Sequence, residues 1–344
     1  MRYKTTITDI ARELNTTAAT VSRALSNHPG ISDERKKSVH QAASKLNYKR
    51  NRIASSLRSG KSHLIGVIIP SAEINFFGSV VHGIESIANS HGYNVLLYQS
   101  NESRDYEEKG LESFLSARVD GILVSIAKGT SDYSHFREIK DRGIPIVFFD
   151  RANDDLGIDS VVIDDYKGAF LATEHLISQG YKRVAHISGS QHLKNFYDRL
   201  KGYMGALQAN KIEIDPSLIY NGNISIDSGK EGTRHLLSIS NPPDAIFAAE
   251  DFTALGVISE LKERNINMPD DFGVIGFANE LFGQHITPAL STVDQQTIQM
   301  GKSAIELLMD LIEKKEMNGH RQQKVVLEPL LIFRNSSARN KDKS

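Results

Sequence analysis

Apolar residues in the first fifty positions recur at helical spacing. Ile7, Ile10, Ala11 and Leu14 fall at i, i+3, i+4 and i+7, one stripe of a short helix, with Asp9 near its positive end. Val21, Ala24 and Leu25 mark a second short helix for which Thr17 is the natural N-cap. Between them stands Asn15, where a tight helix-helix turn needs a residue that tolerates left-handed backbone. Beyond Pro29-Gly30, Ser32 caps a third helix with Asp33 and Glu34 in its first turn and Val39, Ala42, Ala43 and Leu46 as its stripe. Three short helices with one apolar face each predict a compact all-α head of the helix-turn-helix kind over residues 1–49.

From about residue 61 the pattern changes. Short apolar runs now alternate with helical segments: Ile65–Ile69, Val95–Tyr98, Gly121–Val124 and Ile146–Phe149, then Val161–Ile163, Val184–Ile187, Ala245–Phe247 and Val274–Gly276. The intervening helical segments include Ser79–His91, Glu107–Ala117, Gly168–Gln179, Tyr197–Asn210, Ser228–Ser238 and Thr253–Arg264. Such alternation predicts parallel sheets with crossover helices, and two series of it predict an α/β body of two doubly wound subdomains dividing near Asp150 to Val162. Ligands of open parallel sheets bind beyond the carboxyl ends of the strands, so the facing ends should form a cleft.

Charge separates the two parts. Of 41 basic and 42 acidic residues, the first 61 positions hold 13 basic and only four acidic ones, leaving 28 and 38 for the rest. The net charge of −1 thus conceals a basic head of +9 on an acidic body of −10. Lys and Arg that neutralise phosphates gain from counterion release, so the head suits a polyanion; a merely solvated basic surface would show the same count. The helical stripes decide for DNA, with the second helix entering the major groove.

Within this head, Thr6-Ile7-Thr8-Asp9-Ile10-Ala11, Thr20-Val21-Ser22-Arg23, Leu46-Asn47-Tyr48 and Asn51-Arg52-Ile53-Ala54 running to Leu57 resemble the lactose-repressor (LacI/GalR) family of bacterial transcription regulators, and the resemblance extends over nearly the whole chain. It implies a DNA-binding regulator, a repressor, controlled by a small carbohydrate and acting as a homodimer on palindromic operator DNA in the cytoplasm. It places Thr6, Thr17, Ala18, Ala19, Thr20 and Arg23 on the DNA, Arg23 donating to guanine and the alanines meeting thymine methyl groups. It also makes residues 50–60 a hinge whose Asn51, Ala54 and Leu57 contact the minor groove, Leu57 as a wedge. The family often has Pro before the hinge Asn; this chain has Arg50. The implied body is periplasmic-binding-protein-like and spans residues 61–335. Its subdomain one covers about 61–162 and 292–322, its subdomain two about 163–291 and 323–335, and a polar tail, 336–344, reads as disordered.

Polar and aromatic residues follow the body's strands where a hydroxylated ligand would need them. Phe76 and Phe77 follow the first strand, Asp150 and Arg151 the fourth, Arg199 opens a helix of the second half, and Glu250-Asp251 and Asn279 follow later strands. Aromatic faces suit the C–H side of a sugar ring, and carboxylates, amides and guanidinium its hydroxyls. The same residues would serve as core and loop groups in a protein without a ligand. Resemblance favours Phe77, Asp150, Arg199 and Asp251, with Phe76 and Asn279 beside them. Two departures set the ligand apart from the usual ones: Gly276-Phe277-Ala278-Asn279 stands where many members carry Asp after a Gly-aromatic pair, and Glu250 replaces a common Asn.

Other functions are disfavoured. Gly60-Lys61-Ser62 resembles the end of a phosphate loop, but Ser55 stands where its first Gly belongs. No HExxH, G-x-S-x-G or G-x-G-x-x-G occurs, the 12 histidines show no metal-ligand spacing, and there is no cysteine, so neither enzyme, metal nor cofactor is expected. The apolar runs are too short to span a bilayer, so no membrane partner is expected. The alternatives kept open are a periplasmic-type sugar-binding protein without regulatory DNA binding and a sugar-processing enzyme.

Overall fold

In a computed structural model, residues 5–48, 61–314 and 320–339 are described, and they form two compact units divided at Ser62 and His63. The first unit contains the three expected helices, α1 (Ile7–Glu13), α2 (Ala18–Leu25) and α3 (Asp33–Lys45). Asp9 accepts the Thr6 backbone N–H at 2.8 Å, Thr17 Oγ1 accepts the Thr20 N–H at 3.1 Å, and Ser32 caps α3 through the Arg35 N–H. Asn15 takes φ 48°, the left-handed turn its side chain tolerates. Ile10, Ala11, Val21, Ala24, Val39, Ala42 and Ala43 are buried together, so each stripe faces the other two. The expected hinge residues Asn51, Ala54 and Leu57 lie outside the described residues.

The second unit holds two parallel sheets. Strands β1 (Leu64–Ile69), β2 (Asn94–Gln99), β3 (Gly121–Val124), β4 (Ile146–Phe149), β5 (Asp159–Ile163) and β11 (Lys324–Leu327) form the first, in the order β11-β5-β4-β3-β1-β2. The second joins β6 (Val184–Ser188), β7 (Ile219–Asn221), β8 (Ala245–Ala248) and β9 (Gly273–Ile275) in the order β7-β6-β8-β9. An antiparallel pair, β10 (Thr292–Asp294) with β12 (Leu330–Ile332), continues it through bridges Ile275 to Ser291 and Ala278 to Asp294. Runs such as IVFF in β4 and AIFA in β8 are buried at every position because helices cover both faces of the sheets.

Helices α4 (Asn75–Ser90) and α11 (Thr297–Glu313) pack on each other across the first sheet, and α5 (Arg104–Ala117) and α6 (Ser134–Asp141) take its other face. On the second sheet α7 (Asp165–Ser178) packs with α8 (Lys194–Ala209), and α9 (Ile226–Ser238) with α10 (Asp251–Glu263). The α4–α11 crossing is close because both helices carry glycine there: a Cβ on Gly301 would lie 2.1 Å from the Val80 carbonyl oxygen, and one on Gly83 2.3 Å from that of Ile298.

Four expectations need correction. Residues 323–327 belong to the first sheet, since β11 pairs in parallel with β5 through Lys324 to Ser160 and Leu327 to Ile163. Thr292–Asp294 belongs with the second sheet, and Val161–Ile163, counted with the second series, is part of β5 in the first. The polar tail is ordered at its start: Ser336 and Ser337 are fully buried, and Ser336 links β9 to the approach to β10 by donating to the Val274 carbonyl at 2.6 Å and accepting the Ser291 N–H at 2.8 Å.

Candidate functional site: a reading helix and a sugar-sized cavity

The exposed face of α2 carries the residues expected on DNA. Thr17, Ala19 and Arg23 are exposed, Ala18 and Thr20 half-buried, and Thr6 is exposed at the start of α1. Thr17 is partly occupied by its capping bond and by the Thr20 hydroxyl at 3.0 Å. Arg23, in the last turn of α2, has no hydrogen-bonding or ionic partner among the described residues, whereas Lys36 and Lys45 are paired with Asp33 and Glu13. Val21 and Ala24 on the opposite side are buried, so the core fixes the helix and leaves Arg23 free to donate.

The second unit encloses a cavity of about 210 Å³ at the carboxyl ends of its strands. Phe76 and Phe77, in the first turn of α4 and edge-to-face at 5.0 Å, supply its aromatic wall. Asp150 follows β4 at φ 60° and points its carboxylate to Ser125 Oγ, which donates at 3.1 Å. Neighbouring Arg151 donates to Glu102 at 2.7 Å and to the Ile126 carbonyl. Burial holds the Asp150 carboxyl above the ordinary range, against the pull of Arg151 and Arg199.

Arg199 lies in the second turn of α8 rather than at a helix start. It is 2 % exposed, and its guanidinium binds Asp165 at 2.8 Å, the Ala249 carbonyl at 2.7 Å and Gln295 at 3.2 Å while stacking 3.7 Å from the Phe277 ring centre. One side chain thereby ties the start of α7, the end of β8 and the segment after β10. Burial outweighs this cation at Asp165 and pushes its carboxyl up to about 7.

Phe76, Phe77, Asp150 and Arg199 line the cavity; Asp251 and Asn279 do not. Asp251 is fully buried behind the wall, accepting from the Glu280 N–H at 2.7 Å and the Thr292 hydroxyl at 2.7 Å, and burial pushes it up to about 7. Asn279 donates to Asp294 at 2.7 Å and accepts from Arg334 at 2.8 Å. Both side chains brace the loop after β9, in which Ala278 at φ 134° and Asn279 at φ 56° are bent out of the usual backbone regions. That loop delivers Glu280 to the cavity instead.

Glu280, Asn195, Phe196 and Gln295 therefore join the wall without having been expected there. Glu280 is 3 % exposed and accepts the Phe76 N–H at 3.2 Å, reaching from the second sheet to the first turn of α4, which has no side-chain cap of its own. Glu250, the N-cap of α10, accepts the Phe252 N–H at 2.7 Å. Burial, then Asp251 and Glu280, hold the Glu250 carboxyl well above its usual value. A wider cleft of about 490 Å³ shares Asp150, Arg151 and Asn195, but its wall carries solvent-facing pairs such as Lys194–Asp198 and Lys324–Asp154 and no phenylalanine. Among the described residues no group of three His, Cys, Asp or Glu is placed to hold a metal, and no helix is long and apolar enough to cross a membrane.

Comparison with known proteins divides the chain at the same place. Residues 6–51 match bacterial regulatory proteins of the lacI family, and residues 62–330 match the periplasmic binding proteins and sugar-binding domain of the LacI family. The chain is 34% identical over 314 residues to catabolite control protein A of Priestia megaterium, covering 91% of this chain and 94% of that protein. Among solved structures, a complex of the transcriptional regulator CelR with cellobiose aligns with TM-score 0.72 at 27% identity over 96% of this chain and 99% of that one. A lac repressor dimer bound to operator and the anti-inducer ONPF aligns with TM-score 0.87 at 24% identity over 98% and 100%, a likeness of fold.

Proposed function

The chain belongs to the LacI family of bacterial regulatory proteins, and from that premise we propose that it represses transcription by binding operator DNA as a homodimer, under the control of a small sugar held in the body's cavity. It is a transcription regulator with a DNA-reading head and a sugar-binding body. The observation that carries the detail is the cavity itself, where an aromatic pair, a carboxylate and a guanidinium meet at the ends of two parallel sheets.

In the head, Arg23 donates to a guanine edge while Thr17, Ala18, Ala19 and Thr20 set the approach of α2 and Thr6 meets the backbone. A single head makes few phosphate contacts, and a two-fold pair reads two half-sites at once. In the body, sugar bound by Phe76, Phe77, Asp150 and Arg199 changes how the two sheets are held, because Phe76, Phe77 and Asp150 come from the first sheet's side of the cleft, Arg199 comes from the second, and Glu280 joins the two through the Phe76 N–H. DNA affinity and sugar affinity are then coupled, and the coupling is reciprocal. The relatives being transcription regulators, the body senses the sugar and leaves it chemically intact.

Selection of bound sequences from random duplex DNA tests the reading. The expected result is a two-fold symmetric site with a guanine at equivalent positions of both halves. A pool that gains no sequence after repeated rounds would return the chain to the class of sugar-binding proteins without regulatory DNA binding.

A further inference from the structure

The charges around the cavity are unequal in a way that bears on what it accepts. Its two guanidinium groups both face carboxylates: Arg151 donates through Nη1 to Glu102 and the Ile126 carbonyl and holds its Nε, which makes no hydrogen bond among the described residues, 3.8 Å from Asp150, while Arg199 serves Asp165, the Ala249 carbonyl and Gln295. Lys128 also lines the cavity but is exposed to solvent at its rim. Opposite stand Glu250 and Glu280, which no cation among the described residues pairs with, and Asp251 lies buried directly behind them. Each of these two glutamates spends one oxygen on a backbone N–H and keeps the other without a protein partner among the described residues. Glu280 is all but removed from solvent, so its second oxygen has only the cavity to face.

Burial already holds the Glu250 and Glu280 carboxyls above their usual values, so this space disfavours negative charge, and an acidic sugar would bring a further carboxylate or phosphate into it. A neutral sugar satisfies the spare oxygens with hydroxyl donors. An ammonium supplies three donors and favours the ionised form of the two glutamates, and hydrogen bonds to ionised groups are the stronger kind. The volume of about 210 Å³ lies below the roughly 300 Å³ at which drug-sized sites begin, which limits the occupant to the scale of a monosaccharide.

Building on the sugar-effector reading, we propose that the effector is a monosaccharide bearing a protonated amine, with Glu250 and Glu280 as the residues that receive the amine and exclude acidic sugars. Phe76 and Phe77 stack on the ring, and Asp150 takes hydroxyls on the side away from the amine. The departures noted in the sequence acquire a function in this arrangement: with Ala278 small and Glu250 in place of an amide, the acidic groups on the second sheet's side of the wall come from Glu250 and Glu280.

The test is calorimetric titration of the full chain with matched sets of the gluco, galacto and manno hexoses, each as the neutral hexose, the 2-amino hexose, the uronic acid and the 6-phosphate. In one configuration the amino sugar should bind about tenfold tighter than its neutral counterpart, the gap between an ordinary and a charge-assisted hydrogen bond. The uronate and phosphate should bind weakest. The tenfold gap should collapse toward one in Glu250→Gln and narrow in Glu280→Gln, with the melting temperature of each variant recorded to confirm folding. A uronate or sugar phosphate that binds as tightly as the neutral sugar overturns the proposal, as does equal affinity for amine and hydroxyl in the wild-type chain. Failure of every sugar in the panel to bind defeats the sugar-effector reading itself.

Discussion

Replacing Arg199 by alanine is expected to destabilise the body by about 3–5 kcal/mol and to abolish sugar binding with it, the cost typical of removing one partner from a buried ion pair. The loss is large because Arg199 serves three partners and a ring at once, so that Asp165, the Ala249 carbonyl and Gln295 all lose a donor inside the protein. The pH dependence identifies the cause. The Asp165 carboxyl, at about 7 in the folded protein against an ordinary 3.8, binds its proton more tightly folded than unfolded. Its contribution to stability is therefore fully present below about pH 4 and lost as pH rises through 7. Without Arg199 the folded carboxyl rises further, and the loss continues into the alkaline range. Melting curves should show a gap between Arg199→Ala and wild type that is narrower at pH 5.5 than at pH 8, because the losses at the Ala249 carbonyl, Gln295 and Phe277 persist at both while the Asp165 part grows with pH; an equal gap at both would mean that the unpaired Asp165 does not contribute to destabilising the variant.

Arg23→Ala is expected to leave the head folded and to remove about 1–3 kcal/mol of discrimination at one guanine of each half-site. Both halves of the expectation come from the same geometry. Arg23 is exposed and unpaired on α2, so the core of Ile10, Val21, Ala24 and Val39 does not miss it, and surface changes of that kind stay within about 0.5 kcal/mol of stability. Its fork of donors matches the two acceptors of guanine, which alanine cannot meet. Competition binding of the variant to the selected operator and to the same DNA with that guanine replaced should show the two converging. Retention of the full preference would mean that another residue reads the position.

The head was legible almost to the residue because its signals are local: helical stripes, a cap at Ser32, and Asn15 at the turn. The body was legible as far as its strands are apolar runs. The sheet to which β11 belongs was not, since its four residues, KVVL, suit either sheet and only the pairing with Ser160 to Ile163 settles the matter. Ser336 and Ser337 read as a tail because polarity alone does not separate a solvated serine from one that brackets two strands. The candidate site divides the same way. Phe76 and Phe77 begin a helix, Asp150 follows a strand and Arg199 lies one turn inside its helix, and the cavity gathers them. Asp251 and Asn279 also follow strands, yet the positive φ angles at Ala278 and Asn279 turn the loop so that they brace it while Glu280 enters the cavity. No local pattern announces Glu280, whose partner Phe76 lies 204 residues away.

The central claim is that one molecule couples sugar binding in the body to operator binding by the head. It is tested most directly by measuring operator affinity at fixed salt with and without saturating sugar, and sugar affinity with and without saturating operator. The account predicts that both affinities change by the same factor, within the range of about 5 to 150 that coupled sites commonly show. A sugar that occupies the cavity at measurable affinity and leaves operator affinity unchanged would contradict it.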